Sequence, residues 1–257
     1  MGASPRNLMQ VLTTSEPSLN LDAANAELAE LSAEDRLHWG DRHFGERMAL
    51  LGSMQKTSCA LTHLLANVNR DREVVFVDTG FHFRETLQLR DRLIRKYKVD
   101  VVTLYPEETP EQQEERFGRK LHLFVDGQPE CCRLRKEEPF LNYMRESGKK
   151  LIVNGVRRTE GGRRKQLKFV MPDPRIDGFV LHPLLDWSDE QLAEFIRAKD
   201  VPIHPLHEQN YPSIGCQCCT TPVGPGEDPR AGRWRHLRQQ GEQPAYCGIN
   251  FTDGGGI

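Results

Sequence analysis

No stretch of this 257-residue chain approaches the roughly 20 consecutive apolar residues that a bilayer-crossing helix requires. The opening "MGASPRNLMQVLTTSEPSLN" lacks the apolar core of a secretory signal, and Pro5 and Arg6 spoil its Met-Gly start as an acylation signal. Charge of one sign is lacking too. The 35 Lys and Arg residues face 37 Asp and Glu, a formal net charge of -2, which argues against a nucleic-acid binder held by bulk positive charge. There is no internal repeat and no low-complexity block beyond a short glycine tail. A soluble cytoplasmic protein, engaging neither membrane nor nucleic acid, is the expectation. The length suits one large domain, or one domain with an appendage, around a proper core.

What is present is an alternating pattern. "LDAANAELAEL" has helical spacing, and Ser32 reads as the cap of a second helix that stops at Gly45. "RMALLGS" followed by "SCALTHLLANV" is strand, tight loop, helix. "EVVFVDTG", the helix after it and "VDVVTLY" repeat the unit; "KKLIVNGVRR" and "FVLHPLLDW" add further extended segments. Ser188 with Gln191 forms a capping box for "DEQLAEFIRAK". This alternation predicts an α/β fold: a mainly parallel open sheet with helices on both faces, plus an irregular C-terminal cysteine segment after Pro205 and a flexible tail. The expected divisions are a loosely attached 1–20, an α/β domain over 21–235, and a mobile segment over 236–257.

Ligands of such sheets bind beyond the carboxyl ends of the strands. Three strand ends carry suggestive loops: "LGSMQKTS", "VDTG" and "NGVRRTEGGRRK". The first offers backbone N–H groups and hydroxyls at a helix N-terminus, an anion site in kind, but it lacks the spaced G-K-S/T of a Walker loop. The third gathers arginines around glycines at a strand end, as an anion clamp would.

Seven cysteines in a reducing compartment point to metal ligands or reactive thiols rather than disulfides. Cys59, just inside a helix, reads as core. Cys131 and Cys132 are adjacent in "PECCRLRKEEP", and Cys216, Cys218 and Cys219 fall in "CQCC". Four thiolates from two distant segments suit zinc or an iron–sulfur cluster. A zinc ribbon wants two C-x-x-C knuckles, and the tandem pair spoils that geometry; a cluster spreads its ligands over several irons. His204 and His207, in loops, read as surface groups.

The tandem cysteines followed by "RLRK", then "YPSIGCQCC", "DPRAGRW" and "YCGIN", closely resemble the assimilatory adenylyl-sulfate (APS) reductases, cluster-bearing relatives of the phosphoadenylyl-sulfate (PAPS) reductases in the adenine-nucleotide α-hydrolase-like fold. The resemblance runs from about residue 45 to 250. It implies that Cys131, Cys132, Cys216 and Cys219 hold a 4Fe-4S iron–sulfur cluster, and that Lys136 lies between cluster and substrate. It implies that Cys247 is the nucleophile, attacking the sulfur of APS to give an S-sulfocysteine that thioredoxin, or a similar dithiol donor, resolves to sulfite. Arg230 and Arg233 match the family's phosphosulfate-binding arginines. Gly52, Ser53 and Ser58 match its phosphate-side loop, and Asp78, Thr79 and Gly80 its nucleoside-contacting "DTG". Arg157 and Arg158 match the start of its arginine loop, with Arg164 and Lys165 both near that loop's further arginine.

Three positions depart from the family pattern. Lys56 stands where the loop is normally small or acidic, Asn250 replaces a histidine past the nucleophile, and Cys218 stands where a small residue or proline is usual. The competing expectations are a PAPS reductase, an ATP pyrophosphatase of the tRNA-thiolating type, and an inactive metal-holding module. The pyrophosphatase would need an "SGGxDS" loop, which residues 52–58 do not supply. A homo-oligomer is compatible with the sequence.

Overall fold

The computed structural model describes residues 19–241. Cys247 and Asn250 lie outside the described residues. Six strands form one sheet in the order β3-β2-β1-β4-β6-β5: β1 (Met48–Leu51), β2 (Glu73–Val77), β3 (Val101–Leu104), β4 (Leu151–Val153), β5 (Val170–Asp173) and β6 (Gly178–Leu181). Neighbours pair in parallel except β5, which runs antiparallel to β6 at the edge. The mainly parallel α/β sheet expected from the alternation is therefore observed.

Both faces are buried, which is why the strands read as unbroken apolar runs rather than alternating ones. Met48, Leu50, Val74, Leu151 and Val153 face one layer, built on α2 (Ala33–Phe44) and α3 (Lys56–Asn69) through Leu37, Trp39, Leu61 and Leu65. Ala49, Leu51, Val75, Val77 and Ile152 face the other, where α7 (Glu138–Glu146) contributes Phe140 and Met144. Outside the first layer, α1 (Leu21–Ala29) buries Leu28, and α4 (Arg84–Tyr97) packs Leu89 and Leu93 beside Phe76.

Local signals act as the sequence suggests. Ser32 accepts the Asp35 N–H, and Gly45 ends α2 with φ 52°. Ser188 and Gln191 complete a reciprocal capping box on α8 (Asp189–Ala198). Several elements are additions to the sequence reading, among them every helix between β3 and β4. The short α5 (Pro110–Phe117) is started by a second capping box, Thr109 with Gln112. Strand β5 contains Pro172, which only an edge position tolerates. "FVLHPLLDW" is a strand only as far as Leu181; residues 183–186 turn.

The strands β1, β2 and β4 are adjacent and parallel, so the three loops singled out above leave the sheet on one side. The chain order reverses between β1 and β4, the crevice where open sheets of this kind take ligands. Among the described residues no helix is long and apolar enough to cross a membrane.

Candidate cofactor and nucleotide site

Two adjacent cysteines reach the same place because of how the backbone turns. α6 (Gln128–Cys132) begins at Gly127, whose close approach to Leu121 leaves a Cβ only 2.5 Å from that residue's carbonyl oxygen. Directly after Cys132 the helix widens into a π-turn over Arg133–Glu137 before continuing as α7. Such a turn adds a residue to the helical ring and re-aims the side chains that follow, a frequent device at functional sites. Here Arg135 turns inward, 2% exposed, while Lys136 is half-buried at the thiols.

The second cysteine segment is fixed by its own hydrogen bonds. Gln217 N donates to the Phe81 carbonyl at 2.7 Å, Thr220 Oγ1 to the Cys216 carbonyl at 2.9 Å, and Trp234 N to the Cys219 carbonyl at 2.9 Å. Cys131, Cys132, Cys216 and Cys219 then line one small cavity with Lys136 and Trp234. All four are buried, between 7% and 8% exposed. Among the described residues the six cysteines are free thiols.

Polar side chains reach these sulfurs. Gln128 Nε2 donates to Cys132 Sγ at 3.3 Å, and the Thr79 hydroxyl meets Cys216 Sγ at 3.4 Å. Burial pushes the Cys131 thiol up to about 11, against the hydrogen bond from Gln113 and the charge of Lys136. The neighbouring Cys218 raises Cys219 further, with burial second, while Lys136 and Arg233 oppose it. Thiols so desolvated ionise readily only when a metal coordinates the sulfur and displaces its proton to solvent. No three His, Cys, Asp or Glu side chains among the described residues converge as a single-ion site. A multi-iron cluster, which offers each thiolate its own metal, does not require that convergence. Four buried thiols with donors aimed at the sulfurs and two cations nearby therefore fit an iron–sulfur cluster in donor chemistry.

Arg233 is 8% exposed and lies 4.7 Å over the Trp234 ring. It also packs flat on Gly215, where a Cβ would sit 2.3 Å from its Nη2, and its Nε has no hydrogen-bond partner. Arg230 is joined to it by the backbone, Arg233 N to the Arg230 carbonyl at 2.9 Å. The DTG loop touches the same region: Thr79 through Cys216, and Gly80 through Arg135, against which a Cβ would stand 2.9 Å away. Asp78 accepts the Gly80 N–H at 3.0 Å.

The loops after β1 and β4 meet each other. Gly155, after β4, packs so closely on Thr57 that a Cβ would lie 2.6 Å from the threonine Cβ. Gly52 lies against Val74, with 2.8 Å for the same test, and donates its N–H to Val75. Ser53 and Lys56 are exposed; the Ser58 hydroxyl is buried without a hydrogen-bond partner. Arg157 and Arg158 are engaged by protein groups, Arg157 with Asp189 at 2.6 Å and Arg158 with the Leu167 carbonyl at 3.1 Å. Lys165 is exposed on the turn Gly162–Gln166. A larger cavity of 260 Å³ beside β3, lined by Tyr105, Glu108, Arg116 and Tyr143, contains none of the residues that the sequence singled out as site residues.

One sequence expectation is corrected. His204 is not a surface group: it is 1% exposed, its Nε2 is 2.9 Å from the Thr86 hydroxyl, and its Nδ1 accepts the Leu206 N–H. Its neighbour His207 is part-buried and held to the Tyr211 carbonyl at 2.9 Å. Cys59 is core as expected, 0% exposed, with burial pushing its thiol up to about 12. Sequence reasoning missed Gln113 and Gln128, which lie in no motif, and gave no role to Arg135 and Trp234, although both lie in quoted motifs, "RLRK" and "DPRAGRW".

A crevice at the carboxyl ends of a parallel sheet, beside a thiol-lined cavity, defines an α/β nucleotide-binding protein with a cofactor-type cysteine site. The phosphoadenosine phosphosulfate reductase domain model matches residues 47–222, and the chain belongs to that family. It is 38% identical over 247 residues to an adenosine 5'-phosphosulfate reductase of Mycolicibacterium smegmatis, covering 95% of this chain and 100% of the relative. It is 35% identical to one of Halalkalibacterium halodurans, covering 90% and 97%. In fold it is similar to a phosphoadenylyl-sulfate (PAPS) reductase from Candida auris in a phosphate complex, with a TM-score of 0.71 at 22% identity, covering 80% of this chain and 100% of that one.

Proposed function

We propose that this protein reduces APS to sulfite and AMP in the cytoplasm, with Cys247 as nucleophile and Cys131, Cys132, Cys216 and Cys219 as ligands of a 4Fe-4S cluster. The observation that carries the proposal is the burial of those four thiols in one cavity lined also by Lys136 and next to Arg233. When bound, the cluster supplies a fixed charge beside the substrate that tunes the site. Lys136, Arg230 and Arg233 neutralise the phosphosulfate, and the three strand-end loops hold the nucleotide.

The Cys247 thiolate attacks the sulfur of APS. A sulfur–sulfur bond forms, the sulfur–oxygen bond to the phosphate breaks, and AMP leaves with that oxygen and the electron pair. A thiolate of a dithiol protein such as thioredoxin then attacks Cys247 Sγ and releases sulfite. Its second thiol closes a disulfide and frees Cys247, so the dithiol supplies both electrons.

The test is intact mass after anaerobic mixing with APS and no reductant. One added sulfonate that maps to Cys247 and is missing in Cys247→Ser supports the proposal. An adduct with PAPS but not APS moves the substrate to the 3′-phosphorylated nucleotide. No adduct with either overturns the covalent route.

A further inference from the structure

The chain presents five thiols around a cavity for which four ligands suffice. Cys218, the fifth, lines that cavity, is half-buried, and its sulfur lies 3.7 Å from the sulfur of Cys219. It belongs to the same apolar nest as Cys216, Cys219 and Trp234. Three features bear on what such a thiol does. Its backbone is short and held: the Gln217–Cys219 turn is tied to Phe81 on one side and to Trp234 on the other, so Cys218 stays near the cavity whatever the side chain at 219 does. Its sulfur stands almost in contact with a proposed ligand, so filling that ligand's position asks for a side-chain movement and little displacement of the chain. And the cavity already takes two sulfurs from adjacent residues at 131 and 132, so vicinal cysteines are no obstacle to the geometry.

We infer that Cys218 is a reserve ligand of the cluster, able to occupy the iron position of Cys219 when that thiolate is lost. The inference rests on the cluster assignment made above. The exchange is not a redox step: Cys218 gives up its thiol proton to water, its sulfur forms one iron–sulfur bond, and the bond to residue 219 is the one replaced. The capacity is specific to Cys219, since that is the ligand sulfur Cys218 meets. In the unmodified protein Cys218 remains a half-buried thiol outside the four-ligand set. Its value lies in oxidation: two equivalents of peroxide convert the Cys219 thiolate to a sulfinate, with two waters released, and that removes one ligand without emptying the site.

The experiment uses the full chain, purified anaerobically, and reads iron and sulfide per chain, the visible absorption of the cluster, and its reduced-state magnetic resonance spectrum. Wild type, Cys219→Ser, Cys131→Ser, Cys218→Ser and the double variant Cys218→Ser/Cys219→Ser are compared. The expected pattern is retention of most of the iron in Cys219→Ser with an altered spectrum, and loss in both Cys131→Ser and the double variant. Alkylation mapped by mass spectrometry gives an independent readout: Cys218 is labelled in wild type and protected in Cys219→Ser. Loss of iron from Cys219→Ser equal to that from the double variant, in chains shown by circular dichroism to be folded, overturns the inference. If Cys219→Ser does not fold, wild type is oxidised with limiting peroxide until mapping finds Cys219 sulfinate. Retained iron with newly protected Cys218 then supports the inference, and stoichiometric iron loss overturns it. A wild type that holds no iron defeats the cluster assignment itself, a different failure.

Discussion

The Thr79 hydroxyl meets the Cys216 sulfur at 3.4 Å, so the loop that leaves the second strand of the sheet touches the cysteine segment 137 residues further on. Because Asp78 and Gly80 flank it, the contact joins the loop after β2 to the thiol cavity. Thr79→Val removes the hydroxyl and keeps the shape. The expected outcome is about tenfold weaker retention of iron, with a shifted reduction potential and stability changed by less than about 1.5 kcal/mol. Iron release to a chelator and a redox titration check this; unchanged values would make the contact incidental.

Gly215 leaves room for the Arg233 guanidinium. Gly215→Ala displaces the far end of that side chain rather than backbone, so the fold should tolerate it. We expect KM for APS to rise about tenfold, the worth of one charge-assisted contact, while iron content stays at wild-type level. Steady-state kinetics beside iron analysis separates this outcome from a general loss of structure.

Arg135 is the buried pin under the π-turn. It donates to the carbonyls of Thr79 and Glu108 and to Gln113 Oε1, the last at 2.9 Å, and lies 4.9 Å over the Phe81 ring. Arg135→Ala strands those acceptors and should destabilise the protein by about 3 kcal/mol. Urea unfolding of the two proteins gives the number, and a difference near zero would rule out the pinning role.

Acid should weaken the fold through His182. This side chain is fully buried against Asn154, 2.7 Å from its Oδ1, and burial together with Arg158 pushes its pKa down to about 3. The folded protein keeps it neutral, whereas the unfolded chain takes up a proton near its ordinary value of about 6.5. Stability from this group is therefore complete above about pH 6.5 and falls by at most ~1.4 kcal/mol per pH unit below it, levelling off towards pH 3. Urea melts at a series of pH values, repeated on His182→Asn, should show a shallower acid slope in the variant.

Lys56 is exposed on the first turn of α3, beside the nucleotide loops. If its charge faces a 3′-phosphate, Lys56→Ala shifts the ratio of kcat/KM for APS over PAPS upward by about tenfold. Competition between the two nucleotides measures that ratio directly, and no movement would sink the role given to Lys56.

Residue type alone made the thiols legible. Cysteines in pairs announce their chemistry before any contact is known, and the strand-end glycines do so nearly as well. What surrounds them does not. Gln113 and Gln128 are ordinary helix residues until the fold turns their amides toward sulfur. Arg135 read as one more charge in "RLRK" because the π-turn that buries it has no short-range signature. His204 was misread for the complementary reason: its loop looked exposed, but Phe83 and Thr86 of the neighbouring segment close over it. Strand β5 escaped because a proline inside a short run argues against a strand unless the position is an edge, and edge positions are a property of the sheet.

The thiol cavity takes its wall from Phe81, Cys131 and Cys132, Cys219 and Trp234, so its parts leave the ribosome in widely separated instalments. Phe81 emerges before the tandem pair, and nearly half of the polypeptide is still to be made when Cys132 appears. The cavity closes only after the Gln217–Cys219 turn has appeared and Trp234 N has met the Cys219 carbonyl. A closed cavity thus certifies that synthesis and folding have both run nearly to the end. Chains truncated upstream of that turn lack part of the cavity wall, so on the cluster assignment proposed above they should hold no iron.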